Sequence, residues 1–234
     1  MQHIYFAEKL ANTRKPMKLV CHTHSLVPSR KLIKREAVHI RLTDYEYTML
    51  SALSKNTRKL LRRAQEESYQ VFLYKEPSED NLRAFQQFYN EFAKRKKIDQ
   101  INKPQMEAIM LLNQQHALLL SEVRSICGQT LCYRLDIVHA QKAMSYYVAT
   151  CHACTLPTHL KRPMRYANRF LLWHNFMYLK QQGFVLYDMG ELTDIETVRQ
   201  FKLSFGGQVV NVYSGYIAHS RISALLLGVQ KWRK

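Results

Sequence analysis

Residues 117–150 read ALLLSEVRSICGQTLCYRLDIVHAQKAMSYYVAT, and this stretch decides the fold. It holds three strand-like runs, Ala117–Val123, Thr130–Val138 and Ala143–Thr150, with breaks at Gly128–Gln129 and Ala140–Gln141. Breaks this short join antiparallel neighbours, because a parallel crossover needs a dozen or more residues. The stretch is therefore an antiparallel meander.

On its N-terminal side, Val38–Leu42 alternates like a strand, and Thr43–Asp44 supplies an N-cap for a helical pattern through Leu50 and Leu53. A helix over Ser54–Glu67 follows, then a strand over Tyr69–Tyr74, a Pro77 turn and a helix from Asp80 to Lys94. Leu82, Phe85, Tyr89 and Phe92 form that helix's buried stripe, and a short helix follows Pro104. On the C-terminal side a helix over Tyr166–Gln182 ends at Gly183, and the apolar strand Phe184–Tyr187 stops at Asp188–Met189–Gly190. A helix over Ile195–Ser204 and a strand over Gln208–Ile217 come next. Ser220 then caps a last amphipathic helix with Ile222, Leu225, Leu226 and Val229 as its stripe. This order predicts an α/β (α+β) fold, a mixed sheet covered by helices. Residues 1–37 read as short strands and loops of the same unit as residues 38–234.

Lys and Arg outnumber Asp and Glu by 35 to 18, a net charge of +17, so the expected partners are polyanions, phosphorylated molecules or an anionic membrane surface. The charge is patterned. At 100° per residue Lys55, Arg58, Lys59, Arg62 and Arg63 share one face of their helix, opposite Leu60, Leu61 and Ala64. That ridge is either a solvated face or a landing strip for phosphate. The five cysteines lack regular spacing, and residues 1–20 carry charges in place of a secretory apolar core, which predicts a reduced, cytoplasmic setting. Cys151, His152, Cys154 and His159 fit no closed zinc spacing, so no metal is expected.

Several short motifs fall in a recognisable order. They are Arg165–Tyr166–Ala167–Asn168, Leu172–Trp173, Gly183–Phe184, Tyr187–Asp188–Met189–Gly190, Phe201–Lys202 and Phe205–Gly206–Gly207. Together they resemble the C-terminal part of Fem-type transferases of the GNAT superfamily, and Ser54–Ala64 with Arg58, Arg62 and Arg63 resembles the same proteins' Ser/Arg-rich helix. The likeness spans about residues 54–217. It implies a GNAT-like acyltransferase domain over residues 38–234, with a mostly antiparallel sheet and helices on both faces, that moves an acyl or aminoacyl group from an activated donor to an amine. The donor is acyl-CoA or aminoacyl-tRNA, used as a cosubstrate without a tightly bound cofactor. The acceptor is an amine of a cell-envelope, polysaccharide or lipid precursor, handled in the cytoplasm or at the inner face of the membrane. The chain is shorter than two GNAT domains, and the usual pyrophosphate-loop glycines are missing between Arg165 and Phe170.

Attack of an amine on an ester or thioester builds negative charge on the carbonyl oxygen, which a fixed cation stabilises. The resemblance assigns that role to Lys202. Asp188, at the expected strand end, is an acid that could take the amine proton or orient Lys202; should it be buried in an ion pair, Glu191 takes the proton. Arg165 and Asn168, three apart at the expected helix start, are either donor-phosphate contacts or an ordinary cap. Tyr146 and Tyr147 should point to opposite faces of their strand, so only one lines a cleft, and Tyr147 is counted with the binding residues. Arg58, Arg62 and Phe201 complete that set, Phe201 as a support that aims Lys202. The alternative is a basic protein that binds tRNA, other nucleic acid or a membrane without catalysis.

Overall fold

The computed structural model describes residues 2–8, 19–152 and 157–218, which gather into two compact units. Of these described residues, the larger takes in those within 40–190 and 200–207, and the smaller those within 2–39, 191–199 and 208–218. In chain order the strands are β1 (Gln2–Tyr5), β2 (Leu19–Ser25), β3 (Ile33–Arg41), β4 (Gln70–Tyr74), β5 (Leu118–Arg124), β6 (Thr130–His139), β7 (Lys142–Thr150), β8 (Leu186–Glu191) and β9 (Gln208–Ala218). The helices are α1 (Glu46–Ala52), α2 (Lys55–Gln65), α3 (Glu79–Lys96), α4 (Lys103–Gln114), α5 (Thr158–Gln181) and α6 (Glu196–Leu203). The helix expected after Ser220 lies outside the described residues.

The larger unit is built on the meander. Its strand order is β8-β7-β6-β5-β4, antiparallel throughout except for a parallel β7–β8 pair. Helices cover both faces, because side chains alternate along β6. Tyr133 points to α3, where Phe85 and Phe88 meet it with ring centroids 5.9 and 5.2 Å away. Arg134 and Asp136 point the other way, to Asn168 and Asn175 of α5. On that second face Cys132 and Val123 pack with Leu160, Ala167 and Leu171 of α5 into a buried cluster. Burying such aliphatic side chains is worth about 1.5–3 kcal/mol each, so the α5 face anchors the unit.

The smaller unit's strand order is β1-β2-β9-β3, with β1 parallel to β2 and the other pairs antiparallel. Strand β9, which the sequence groups with residues 38–234, is thus hydrogen-bonded between two segments from residues 19–39.

Three elements differ from the sequence reading. The helix expected at Tyr166 begins at Thr158 and carries Pro163 inside it. Pro163 is the sixth residue of the helix, in its second turn, so its ring removes one i→i−4 hydrogen bond there. Strand β8 continues through Asp188 to Glu191 instead of stopping at Asp188. Helix α1 has Tyr45, not Thr43 or Asp44, as its N-cap, without a side-chain cap.

Candidate active site

Asp188 is fully buried within β8, and its Oδ1 accepts a hydrogen bond from the Gly190 N–H at 2.7 Å. Gly190 has a φ of +80°, a conformation that side-chain-bearing residues avoid. The point where a Cβ on Gly190 would sit lies 3.3 Å from Lys202 Nζ and 3.7 Å from the Ser145 carbonyl oxygen. The absent side chain leaves room for the ammonium. Asp188 and Lys202 therefore meet at the same glycine, one through its amide and one through its empty side-chain position.

Residues 200–207 are tied to the start of α2. The Ser54 N–H donates to the Ser204 carbonyl at 2.9 Å, and Thr57 Oγ1 donates to Ser204 Oγ at 2.9 Å. Ser54 is also the N-cap of α2, its Oγ accepting from the Thr57 N–H at 3.2 Å. That accounts for a Ser at the head of the arginine-rich helix. A Cβ on Gly206 would stand 2.2 Å from the Ala52 carbonyl oxygen, so only glycine lets the two backbones approach. Phe201 stacks edge-on against Phe205, and Phe205 against Phe176 of α5. The Arg169 guanidinium lies over the Phe201 ring at 5.1 Å. Phe201 is thus packed on both sides, next to Lys202.

Opposite Lys202 the β7 strand is irregular. Asp136 pairs with Ser145 but Leu135 pairs with Tyr147, so Tyr146 is an extra residue, a β-bulge. The bulge resets the alternation of side chains. Tyr146 and Tyr147 do not point to opposite faces: their rings lie 4.4 Å apart, and Tyr147 packs on Tyr89 and Phe85 of α3. The β7–β8 ladder runs from Lys142–Leu186 to Met144–Asp188, and among the described residues no further pair follows it past Ser145.

Beneath the bulge lies a buried polar network that no motif announced. Arg134 is 2% exposed; its Nη1 donates to Asn168 Oδ1 at 2.9 Å, and its Nη2 to Ser145 Oγ at 3.0 Å and Tyr187 OH at 3.2 Å. Tyr187 OH donates to Asp136 Oδ1 at 2.8 Å, and Asn175 Nδ2 to Asp136 Oδ2 at 3.0 Å. Burial raises both the Asp136 carboxyl and the Tyr187 hydroxyl above their ordinary values. The sequence signal was an Arg and an Asp two apart inside the apolar run Leu131–Val138, hence on one face of the strand.

The remaining candidates fall elsewhere. Asn168 serves Arg134, and Arg165 is exposed on α5; neither is at a helix start, since α5 begins seven residues before Arg165. The expectation of a dipole-assisted phosphate contact there is corrected, because amides in the second turn already bond within the helix. Glu191 belongs to the smaller unit, where its Oε1 lies 3.7 Å from His24 Nε2 and its Oε2 3.8 Å from Arg35 Nε, with 37% of the side chain exposed. Arg58 and Arg62 line a cavity of about 200 Å³ with Leu50, Leu61, Phe170 and Trp173. Among the described residues no cluster of three metal-ligating side chains occurs, and no helix is long and apolar enough to cross a membrane. Cys154 and the side chain of His159 lie outside the described residues.

No family model and no curated protein matches the sequence. Solved structures do. The chain is similar to FemX with a TM-score of 0.64 at 12% identity, over 79% of this chain and 63% of that one. It is similar to the C-terminal DUF2156 domain assigned to a lysylphosphatidylglycerol synthetase of Agrobacterium fabrum, with a TM-score of 0.58 at 13% identity, over 89% and 70%. It is also similar to L-PGS from Bacillus licheniformis, with a TM-score of 0.54 at 16% identity, over 91% and 72%. The chain thus spans less than two thirds of the length of FemX. These likenesses define the class of fold: the chain shares the α/β fold of FemX and of the two lysylphosphatidylglycerol synthetase structures, with a mostly antiparallel sheet.

Proposed function

We propose that the chain is an acyl- or aminoacyltransferase in which Lys202 polarises the carbonyl of an activated donor while an amine attacks it. The observation that carries this reading is the meeting of Lys202 Nζ with Gly190, whose amide is held by the buried Asp188. An ammonium held beside a strand-borne glycine would be preorganised, and preorganised charge at a developing oxyanion is usually the largest single term in acyl transfer.

In the proposed step the amine nitrogen forms a bond to the donor's carbonyl carbon, and the carbonyl electrons move onto oxygen beside Lys202. The tetrahedral species then collapses, the C–S or C–O bond to the donor breaks, and the leaving group departs with the bonding pair. The proton lost by the attacking nitrogen goes to a base. Asp188, buried with its Oδ1 on the Gly190 amide, acts as an orienting group.

Acyl-CoA and aminoacyl-tRNA are both admitted as donors, with tRNA as a partner in the second case. The acceptor is a small-molecule or lipid-linked amine of a cell-envelope, polysaccharide or lipid precursor, met in the cytoplasm or at an anionic inner membrane surface. The net charge of +17 supports a polyanionic or lipid-linked substrate, and so does the fold likeness to proteins named for lysylphosphatidylglycerol synthesis. A basic protein that only binds RNA or membrane needs none of the arrangement around Gly190. The test is a panel of acyl-CoA and aminoacyl-tRNA donors incubated with amine acceptors and read by mass spectrometry. Acylated amine that forms with the wild type and not with Lys202→Ala is the expected product; equal formation by both would remove the reading.

A further inference from the structure

We infer that the cavity between α2 and α5 is a subsite for an organic phosphate ester, with its phosphate on Arg58 and Arg62 and its apolar or aromatic body against Trp173 and Phe170. As a statement about a substrate it rests on the transferase reading; as a statement about binding it does not.

The cavity is lined by side chains of two kinds. Leu50, Leu61, Phe170 and Trp173 give it an apolar wall, and Arg58 and Arg62 supply two guanidinium groups. The arginines are four apart on α2, so they rise from the same helix face with Cβ atoms roughly 5–6 Å apart. Arg58 is half-buried and pinned, its Nη1 donating to the Ser51 carbonyl at 3.1 Å. One of its five N–H donors is thus used for orientation and the others stay open to a ligand. Arg62 is exposed one turn on.

Their charge is not cancelled locally. Among the described residues neither arginine has a carboxylate partner, and the acids closest in sequence, Glu66 and Glu67, face Arg162 at 3.5 and 3.2 Å. Lys55, Lys59 and Arg63 continue the ridge without an intervening acid. Two guanidinium groups on one face suit a tetrahedral oxyanion, which each can grip with paired N–H donors.

The wall decides against inorganic phosphate as the natural occupant. A cavity of about 200 Å³ holds several times the roughly 30 Å³ share of one water, and an anion alone would leave Trp173 and Phe170 facing solvent. A ring stacked on these aromatics, or a few methylenes laid along them, removes that apolar surface from water at about 25 cal/mol per Å². The volume is below the roughly 300–1,000 Å³ of a site for a whole drug-sized ligand, so the cavity takes one end of a longer molecule. The end of a nucleotide and the headgroup of a lipid share the required chemistry.

The test is titration of the full chain with AMP, with dihexanoyl phosphatidate and with inorganic phosphate, read by calorimetry and by tryptophan emission. At least one organic phosphate should bind about tenfold or more tightly than inorganic phosphate, with a change in emission that Trp173→Phe abolishes. Binding of AMP alone identifies a nucleotide source, and binding of the phosphatidate alone a lipid source. The pair Arg58→Gln/Arg62→Gln should weaken the tighter ligand about tenfold or more, and the exposed Arg62→Gln by itself gives the same direction if the pair does not fold. Organic phosphates no tighter than inorganic phosphate, or arginine variants that bind like the wild type, would overturn the assignment. Lys202→Ala should keep this binding while losing transfer, which separates failure of the subsite from failure of the transferase reading.

Discussion

In the larger unit Arg134 is 2% exposed with Asn168, Ser145 and Tyr187 closed around it, whereas Arg58 and Arg62 stand at a cavity with no carboxylate partner among the described residues. The side chain is the same, and its surroundings assign it opposite work. The Arg134 Nη1 and Nη2 groups are met by three side chains while its Nε is buried without a partner, so Arg134 ties together β6, the bulge of β7 and Tyr187. An open one costs the fold little and is free to meet an anion. Arginine on a strand face inside apolar sequence is thus structural here, while arginine on a helix with no interleaved acid points to a ligand.

The largest effect should come from the closed side of that contrast. Arg134→Met removes the donors that Asn168, Ser145 and Tyr187 accept from and the nearby charge that offsets the buried Asp136, and a denaturation midpoint should report a loss of about 3–5 kcal/mol. A loss below about 1 kcal/mol would erase the distinction between the two regions. Gly190→Ala comes next. The new methyl meets Lys202 Nζ, a movable chain end, at 3.3 Å and sits at a φ of +80°. Stability should fall by about 1–2 kcal/mol, while transfer at a temperature where the variant stays folded falls further because the ammonium is displaced.

His174 on α5 sharpens the same theme at smaller scale. Burial lowers its pKa, and its Nδ1 is buried without a hydrogen-bond partner. The unfolded chain binds a proton that the folded chain refuses, so this contribution is intact above about pH 6.5 and is lost as pH falls toward the lowered value. Urea midpoints measured between about pH 7.5 and 5.5 should slope downward with acid, and His174→Gln should flatten the slope. The smallest effect belongs to the open side: Arg58→Gln/Arg62→Gln should change stability by no more than about 0.5 kcal/mol by thermal melt. A large loss would move those arginines into the structural class.

Much of this contrast was legible before any coordinates. The meander follows from run lengths and short breaks; of the stripe Leu60, Leu61 and Ala64 that 100° periodicity gives α2, Leu61 and Ala64 are buried and Leu60 half-buried, while Thr57, outside that stripe, is buried as well. Lys202 was singled out by the resemblance of its motif and not by spacing. The unreadable parts share a cause, since each depends on contacts distant in sequence. The parallel partner of β7, the passage of β8 through Asp188 and the burial of Arg134 with Asp136 are set by which strands neighbour each other. The bulge at Tyr146 has no signature in the run Ala143–Thr150, yet it decides which way both tyrosines face. Pro163 resembles a break and lies inside a helix, because Tyr69 OH, donating to its carbonyl at 2.5 Å, and the packing of Leu160 hold the first turns of α5 in place.

The ammonium of Lys202 is the point on which the chemistry turns. Single-turnover transfer with a saturating donor should be compared between the wild type and Lys202→Ala, with donor affinity and the thermal midpoint followed in parallel. The expected outcome is a rate lower by about 10²–10³ at unchanged affinity and midpoint. Equal rates in the two proteins would show that the group beside Gly190 does not carry the reaction.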